Sequence, residues 1–175
     1  MRNPSRVPVR LPLHTDRLEI RAFVPGDREA MAAIYADPEV MRFIDTRGED
    51  PSTWVDAYVA HQDRHGWGVW AIEERATGEL IGEAGLAPLD GHGPDLELGY
   101  LLRRDRWGRG LATEAARACL TAAFDQLGAH EVVAIVDEGN DASLAVARKV
   151  GFVETGRRRR AARHQHVLRA RRVSA

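Results

Sequence analysis

The sequence predicts a mixed α/β (α+β) single domain, and three observations carry the prediction. The chain has 175 residues, 44% of them hydrophobic, enough for one core and too few for two ordinary domains. Its periodic segments run strand, helices, antiparallel hairpin, strand, helix, strand, helix, strand pair, an order typical of a single layered α+β unit. Around residues 96 to 136 a strand, a glycine turn, a helix and a strand follow one another, which makes a parallel crossover.

The elements follow in chain order. Met1 to His14 carries three prolines and little pattern, and reads as a mobile leader ahead of one domain over residues 15 to 175. Arg17 to Phe23 alternates Leu18, Ile20 and Ala22 with Arg17, Glu19 and Arg21, a half-buried strand. Pro25-Gly26-Asp27 ends it and opens a helix to about Ala36; Asp37-Pro38 opens a shorter one, with proline in the first turn. Pro51 to His65 is helical, with Trp54, Val55, Tyr58, Val59 and Gln62 on one stripe. Gly68 to Glu74 and Leu80 to Leu86 form a hairpin about Thr77-Gly78. After the polar loop Asp90 to Asp95 comes a strand over Leu96 to Leu102. Leu111 to Leu127 is the strongest helix, closed by Gly128. Glu131 to Val136 is a β-branched buried strand, and Asp141 to Val150 is a helix stopped by Gly151. Phe152 to Thr155 and Gln165 to Arg169 are the last strands.

Composition narrows the class. The net charge of −1 gives no push toward nucleic acid or membrane. Arginines crowd the chain after Glu154 with no acidic residue among them; they read as a strand and surface facing solvent or nearby carboxylates, with a polyanion site as the alternative. Cys119 is the only cysteine, so no intrachain disulfide can form. No apolar run reaches membrane-spanning length, and the first residues lack the apolar core of a signal peptide, so the expected address is the cytoplasm.

The chemistry concentrates at Leu96 to Thr113, LELGYLLRRDRWGRGLAT. A strand runs into a charged turn, then Gly108 and Gly110, then a long helix. That order presents unpaired backbone N–H groups and the positive end of a helix dipole, a seat for phosphate, although a plain tight turn has the same spacing. The third glycine of a dinucleotide fingerprint is missing, and so is the Gly-Lys-Ser/Thr ending of a P-loop. His164-Gln165-His166 lacks further ligands, so no metal is expected. Trp54, Trp67 and Trp70 fit a core better than a pocket, and Cys119 reads as a small buried hydrophobe. Strand parity puts Glu97, Gly99 and Leu101 on one face and Leu96, Leu98 and Tyr100 on the other.

Trp107-Gly108-Arg109-Gly110-Leu111-Ala112 resembles the acyl-CoA pyrophosphate loop of the GNAT N-acetyltransferases, in the Trp-Gly-x-Gly form of the RimJ/RimL-type branch. Thr15 to Arg21, Asp37 to Met41, Trp70-Ala71-Ile72 with Gly78 to Gly82, Asn140 to Ser143 and Lys149 to Phe152 resemble other pieces of that branch in the same order, over about residues 15 to 156. The resemblance implies a GNAT fold, with a mostly antiparallel sheet splayed beside the strand at 96 to 102 and helices on both faces. It implies acetyl-CoA as cosubstrate. Backbone amides of Gly108, Arg109, Gly110, Ala112 and Thr113 would hold the pyrophosphate, the Leu101 N–H the thioester carbonyl and the Arg103 backbone the pantetheine arm; Asn140 would contact CoA.

The same resemblance implies a primary amine acceptor. A protein N-terminal α-amine leads, with a small amine such as an antibiotic or amino-acid-like metabolite, or a non-catalytic acyl-CoA-binding module, as alternatives; a homodimer is left open. Glu97 stands where several family members carry a catalytic carboxylate, the alternative being a partner for a nearby arginine. The tyrosine that many members place seven residues after the asparagine is Ala147 here, which leaves Ser143 as the candidate proton donor to the CoA thiolate, or a plain helix-opening residue.

Overall fold

The computed structural model describes residues 7–172. Its sheet has eight strands: β1 (Leu13–His14), β2 (Leu18–Arg21), β3 (Val69–Glu74), β4 (Glu79–Pro88), β5 (Leu96–Leu102), β6 (Glu131–Asp137), β7 (Val153–Arg160) and β8 (Arg163–Arg171). Their spatial order is β1-β2-β3-β4-β5-β6-β8-β7. Every neighbouring pair is antiparallel except β5 and β6, as the crossover predicts. The helices are α1 (Arg28–Tyr35), α2 (Pro38–Met41), α3 (Trp54–His65), α4 (Leu111–Asp125) and α5 (Asp141–Lys149).

Alternation along β5 sorts its side chains into two cores. Leu98 and Leu102 pack with Leu111, Ala115, Ala116 and Cys119 of α4 on one face of the sheet. Leu101 packs with Met31 and Ile34 of α1 and Val55 of α3 on the other. Trp70 is fully buried, its indole Nε1 donating to Gln62 Oε1 at 2.9 Å. Trp54 and Trp67 also belong to the core, and burial pushes the Cys119 thiol pKa up, as suits an inert small hydrophobe.

Several boundaries differ from the pattern in the sequence, each for a local reason. The first turn of the Pro51–His65 segment is a 3-10 turn, because Asp50 accepts from the Ser52 N–H at 3.0 Å and α3 begins only at Trp54. Helix α4 ends at Asp125, two residues early, where the Ala122 carbonyl accepts from both Gln126 and Leu127 N–H groups. The last two strands form a longer hairpin than apolar alternation suggests. Ion pairs bind its arginines to the rest of the molecule: Arg157 to Glu138, Arg158 and Arg160 to Asp90, Arg163 to Asp137, and Arg169 and Arg171 to Glu131.

Part of the expected leader, Met1 to Arg6, lies outside the described residues. Of the remainder, Val9 is buried and its N–H donates to Gly66 O at 2.8 Å, while Leu13 and His14 pair with β2. Val9, Leu11 and Leu13 alternate with Arg10, Pro12 and His14, a strand-like period that the prolines mask, and the three pack on one core.

Glu114 on α4 fastens the β1–β2 connection. It accepts from Thr15 Oγ1 at 2.6 Å, from the Arg17 N–H at 2.9 Å and from Arg17 Nε at 2.7 Å. Burial pushes its carboxyl pKa up, but the donors of Thr15 and Arg17 together outweigh burial and hold it below the ordinary value. Because the folded pKa is depressed, the stabilisation is present above the unfolded value of roughly 4.3 and fades as pH falls through the folded one. We predict that Glu114→Gln destabilises the fold at pH 7 by roughly 1–3 kcal/mol in denaturant titrations, and that the gap from wild type narrows below about pH 4. A gap of the same size at both pH values would show that the charge of Glu114 contributes nothing.

Candidate active site

Strands β5 and β6 pair only at Leu96–Val132 and Glu97–Val133. Beyond Glu97 they diverge, because β6 continues its ladder with β8 while β5 stays registered with β4. The divergence opens a cavity of about 270 Å³. Its walls are Leu98 to Leu101 on one side and Ala134 to Asp137 on the other; Asn140 and Ser143 of α5 close one end, and Phe43, Ile44 and Arg47 roof it.

The ladder decides which backbone groups face this gap. The Arg103 N–H donates to Ile81 O at 2.8 Å, and hydrogen-bonded pairs alternate along an antiparallel ladder. The Leu101 N–H therefore also points toward β4, opposite Glu83. The oxyanion donor expected at Leu101 and the arm contact expected from the Arg103 backbone are corrected accordingly: both N–H groups are turned away from the gap, and the Arg103 carbonyl accepts from the Arg106 N–H at 2.9 Å. The backbone groups of Tyr100 and Leu102 face it instead, and the Leu102 carbonyl accepts from Trp107 Nε1 at 2.8 Å. The Arg103 guanidinium is likewise engaged, with Asp105 at 2.7 Å and Glu79 at 3.1 Å. The sequence shows side-chain parity, but which strand lies on which side of β5 is a matter of tertiary pairing.

The glycine turn has the geometry its order suggests. Gly108 and Gly110 adopt left-handed φ of 72° and 75°, a region that favours glycine. Gly110 is the N-cap of α4 and no side chain caps the helix. The first bond into the helix is Glu114 N–H to Gly110 O at 3.1 Å, so the amides of Leu111, Ala112 and Thr113 have no intrahelical partner. No heavy atom lies within 4 Å of where a Gly108 Cβ would stand, so the loop face is open, and Arg17 Nη1 steadies it through the Arg109 carbonyl at 2.8 Å. A free, positively polarised helix end with open space above it fits a pyrophosphate.

Asn140 Oδ1 accepts from the Ser143 N–H at 3.2 Å, which makes Asn140 the N-cap of α5 and presents Ser143 at the cavity end. Ser143 Oγ lies 2.9 Å from the Tyr100 hydroxyl, which also donates to Ser143 O at 2.9 Å. Burial raises the Tyr100 pKa above its ordinary value, so the phenol keeps its proton at neutral pH. In the sequence Tyr100 marks only the parity of β5; its pairing with Ser143 arises when α5 packs beside β5.

Glu97 lines the cavity on the α1–α3 face. Burial raises its pKa, while Arg158 and Arg47 pull it down and the charge of Asp90 pushes it up. Asp90, in a left-handed backbone conformation, is itself clamped by Arg158 at 2.9 Å and Arg160 at 2.5 Å. Both readings of Glu97 thus meet at one place: it faces the cavity and it stands beside arginines.

Glu83 on β4 faces the same cavity and was not singled out in the sequence. It is buried, and it accepts hydrogen bonds from the Tyr35 hydroxyl at 2.5 Å and the Tyr58 hydroxyl at 3.3 Å. Burial pushes its pKa up to about 7, with the two phenols working in the opposite direction. The available signal is an acidic residue inside the apolar run Leu80 to Leu86. Elsewhere, His166 Nδ1 is 3.0 Å from Glu154, and among the described residues no three His, Cys, Asp or Glu side chains stand together as a metal site would require.

Known proteins share this architecture. Residues 17–153 match the acetyltransferase (GNAT) domain family. The uncharacterised N-acetyltransferase YoaA of Bacillus subtilis is 32% identical over 149 residues, covering 82% of this chain and 84% of that protein. The crystal structure of an acetyltransferase from Agrobacterium tumefaciens is 31% identical with a TM-score of 0.77, over 95% of this chain and 98% of that one. RimL, a ribosomal L7/L12 alpha-N-protein acetyltransferase solved with coenzyme A, shares the fold at 18% identity, with a TM-score of 0.75 over 91% of this chain and 96% of that one. With the family match spanning most of the chain, and the splayed sheet and open glycine turn in place, this protein is a member of the GNAT acetyltransferase family.

Proposed function

We propose that this protein transfers the acetyl group of acetyl-CoA to a primary amine, with the pantetheine arm in the β5–β6 gap and the pyrophosphate on the amides of Gly108, Arg109, Gly110, Ala112 and Thr113. GNAT acetyltransferases use acetyl-CoA as the acyl donor. The observation that carries the reading is the two-pair length of the β5–β6 ladder, which leaves a gap between the two strands, with the uncapped N-terminus of α4 following β5 in the chain. The N–H of Tyr100 faces the gap and would meet the negative charge that develops on the thioester oxygen. Tyr100 and Ser143 form a hydroxyl pair that would give a proton or a hydrogen bond to the departing thiolate. Glu97 would relay the acceptor's proton through water toward the arginine-lined rim, where Arg47 and Arg158 favour its charged form.

A protein N-terminal α-amine is the leading acceptor, in keeping with a RimJ/RimL-type branch. The roof of Phe43, Ile44 and Arg47 over a small cavity favours a second reading, a small free amine. The test is thiol release from acetyl-CoA over a panel of peptides with free N-termini, amino acids and aminoglycosides. In this panel Glu97→Gln lowers kcat by roughly 10²–10⁴-fold with little change in acetyl-CoA affinity, and Ser143→Ala lowers it less, because water can also protonate a thiolate. An unchanged Glu97→Gln pH–rate profile would remove Glu97 from the proton path.

A further inference from the structure

Four carboxylates line the acceptor cavity, Asp45, Glu83, Glu97 and Asp137, and of these Glu83 and Glu97, which share the face of the sheet toward α1 and α3, stand at different distances from the reacting centre. With the oxyanion donor at Tyr100, Glu97 is three residues back along β5, roughly 10 Å at a strand's rise. Glu83 is the ladder partner of Leu101, the next residue, so its Cα is about 5.5 Å from β5 across a hydrogen-bonded pair, with its side chain on the acceptor face. Gly99 lies on β5 between the two glutamates, and nothing stands within 4 Å of where its Cβ would be. The floor of the cavity is therefore open beside Glu83.

The surroundings of Glu83 hold it in place without neutralising it. Tyr35 from α1 and Tyr58 from α3 donate to its two oxygens, Oε2 and Oε1. Tyr35 is in turn braced edge-on by Trp54, and Tyr58 stacks on Phe23. Among the described residues no cation pairs with Glu83, and the charged groups on the other cavity walls are Asp45, Arg47, Glu97, Asp137, Arg158 and Arg160. A buried carboxylate without a counter-ion is costly to a fold, and a leucine or glutamine would fit the apolar strand at less cost. Such a group at a cavity floor is better explained by chemistry than by packing.

We propose that Glu83 takes the proton from the acceptor amine, with Tyr35 and Tyr58 as the residues that position its carboxylate; this rests on the transferase reading above. In that step the amine nitrogen forms its bond to the acetyl carbon while the carbon–sulfur bond breaks and sulfur keeps the electron pair. The proton leaving nitrogen goes to Glu83, and the thiolate takes a proton from the Tyr100–Ser143 pair, which refills from solvent. Glu83 returns its proton to water by way of Glu97. An acceptor that arrives as an ammonium first loses one proton to solvent. The match is favourable, since an α-amine has a pKa of roughly 7.7–8.0 and burial raises Glu83 to about 7.

The experiment is the pH dependence of kcat/KM from pH 5.5 to 9.5 for wild type, Glu83→Gln, Glu97→Gln and Tyr58→Phe, with acetyl-CoA and whichever primary amine of the panel turns over. Wild type shows an acidic limb near pH 7. Glu83→Gln loses the limb and about 10²–10⁴-fold of the rate while binding CoA as wild type does. Tyr58→Phe keeps the carboxylate but loses a donor to its charged form, so the limb moves to higher pH and much of the maximal rate remains. A second readout needs no turnover. The raised pKa of Glu83 makes wild-type stability fall as pH climbs from the unfolded value through about 7, and Glu83→Gln lacks that slope. A Glu83→Gln enzyme with the wild-type rate and limb overturns the proposal and leaves the transferase reading intact. So does a Tyr58→Phe limb that does not move, should Glu83→Gln fail to fold. A wild-type protein that acetylates no amine of the panel overturns the transferase reading itself, and the role of Glu83 with it.

Discussion

Replacing Gly110 with aspartate weakens CoA binding by on the order of 100-fold, read by calorimetry with CoA as titrant. Two effects combine. Gly110 sits at φ 75°, where any side chain adds about 1–2 kcal/mol of backbone strain. The new carboxylate also stands at the N-terminus of α4, where the proposed pyrophosphate would lie; two like charges about 5 Å apart near a protein surface repel by roughly 3 kcal/mol before salt screening. Arg17 Nη2, 3.6 Å from the added Cβ, softens the repulsion only by leaving its bond with Glu114. Gly110→Ala carries the strain without the charge, so it weakens binding much less, and the difference between the two variants reports the electrostatic part. Equal CoA affinity in wild type and Gly110→Asp would move the pyrophosphate away from this helix end.

The largest stability effect is expected at Trp70. Trp70→Ala removes a fully buried indole from the core on the α4 face of the sheet, at a cost of about 3–5 kcal/mol, and orphans Gln62 Oε1. For a domain of this size that is a fall in Tm of roughly 6–20 °C. Trp70→Phe retains most of the apolar area and loses the indole donor, so it falls between the two. Scanning calorimetry of the three proteins without CoA gives the order wild type, Trp70→Phe, Trp70→Ala. A Trp70→Ala melt within two or so degrees of wild type would place Trp70 outside the core.

Much of the fold was legible because local rules and tertiary structure agree. Leu96 to Leu102 is the strand that its alternation predicts, to the residue. Pro38 in the first turn, with Asp37 accepting from the Glu39 N–H, opens α2, and Gly66 in a left-handed conformation closes α3. The arginine-rich hairpin was the least legible element, since its strands are held by ion pairs with distant segments and leave no apolar period to read.

The candidate site divides in the same way. The glycine turn is local: its glycine spacing and the helix behind it lie within a few residues, so the uncapped helix end at Gly108 to Thr113, where the pyrophosphate is proposed to sit, could be read from the sequence. The parity of β5, and with it the face of Glu97, was local too. The direction of each amide was not. Side-chain parity says nothing of whether the Leu101 N–H points to β4 or to the gap, because that depends on which strand pairs on which side. Nor did the sequence reveal the two polar pairs that the structure assembles, Tyr100 with Ser143 and Glu83 with Tyr35 and Tyr58, whose members lie 43 residues apart in the first case and 48 and 25 in the second. The sequence by itself determined most of the elements, the face of β5 and the glycine turn before α4, because backbone propensity and hydrophobic period are short-range. Only the tertiary structure decided which amides of β5 face the gap and which carboxylate two tyrosines hold at the cavity, because those depend on strand pairing and on helices laid across the sheet.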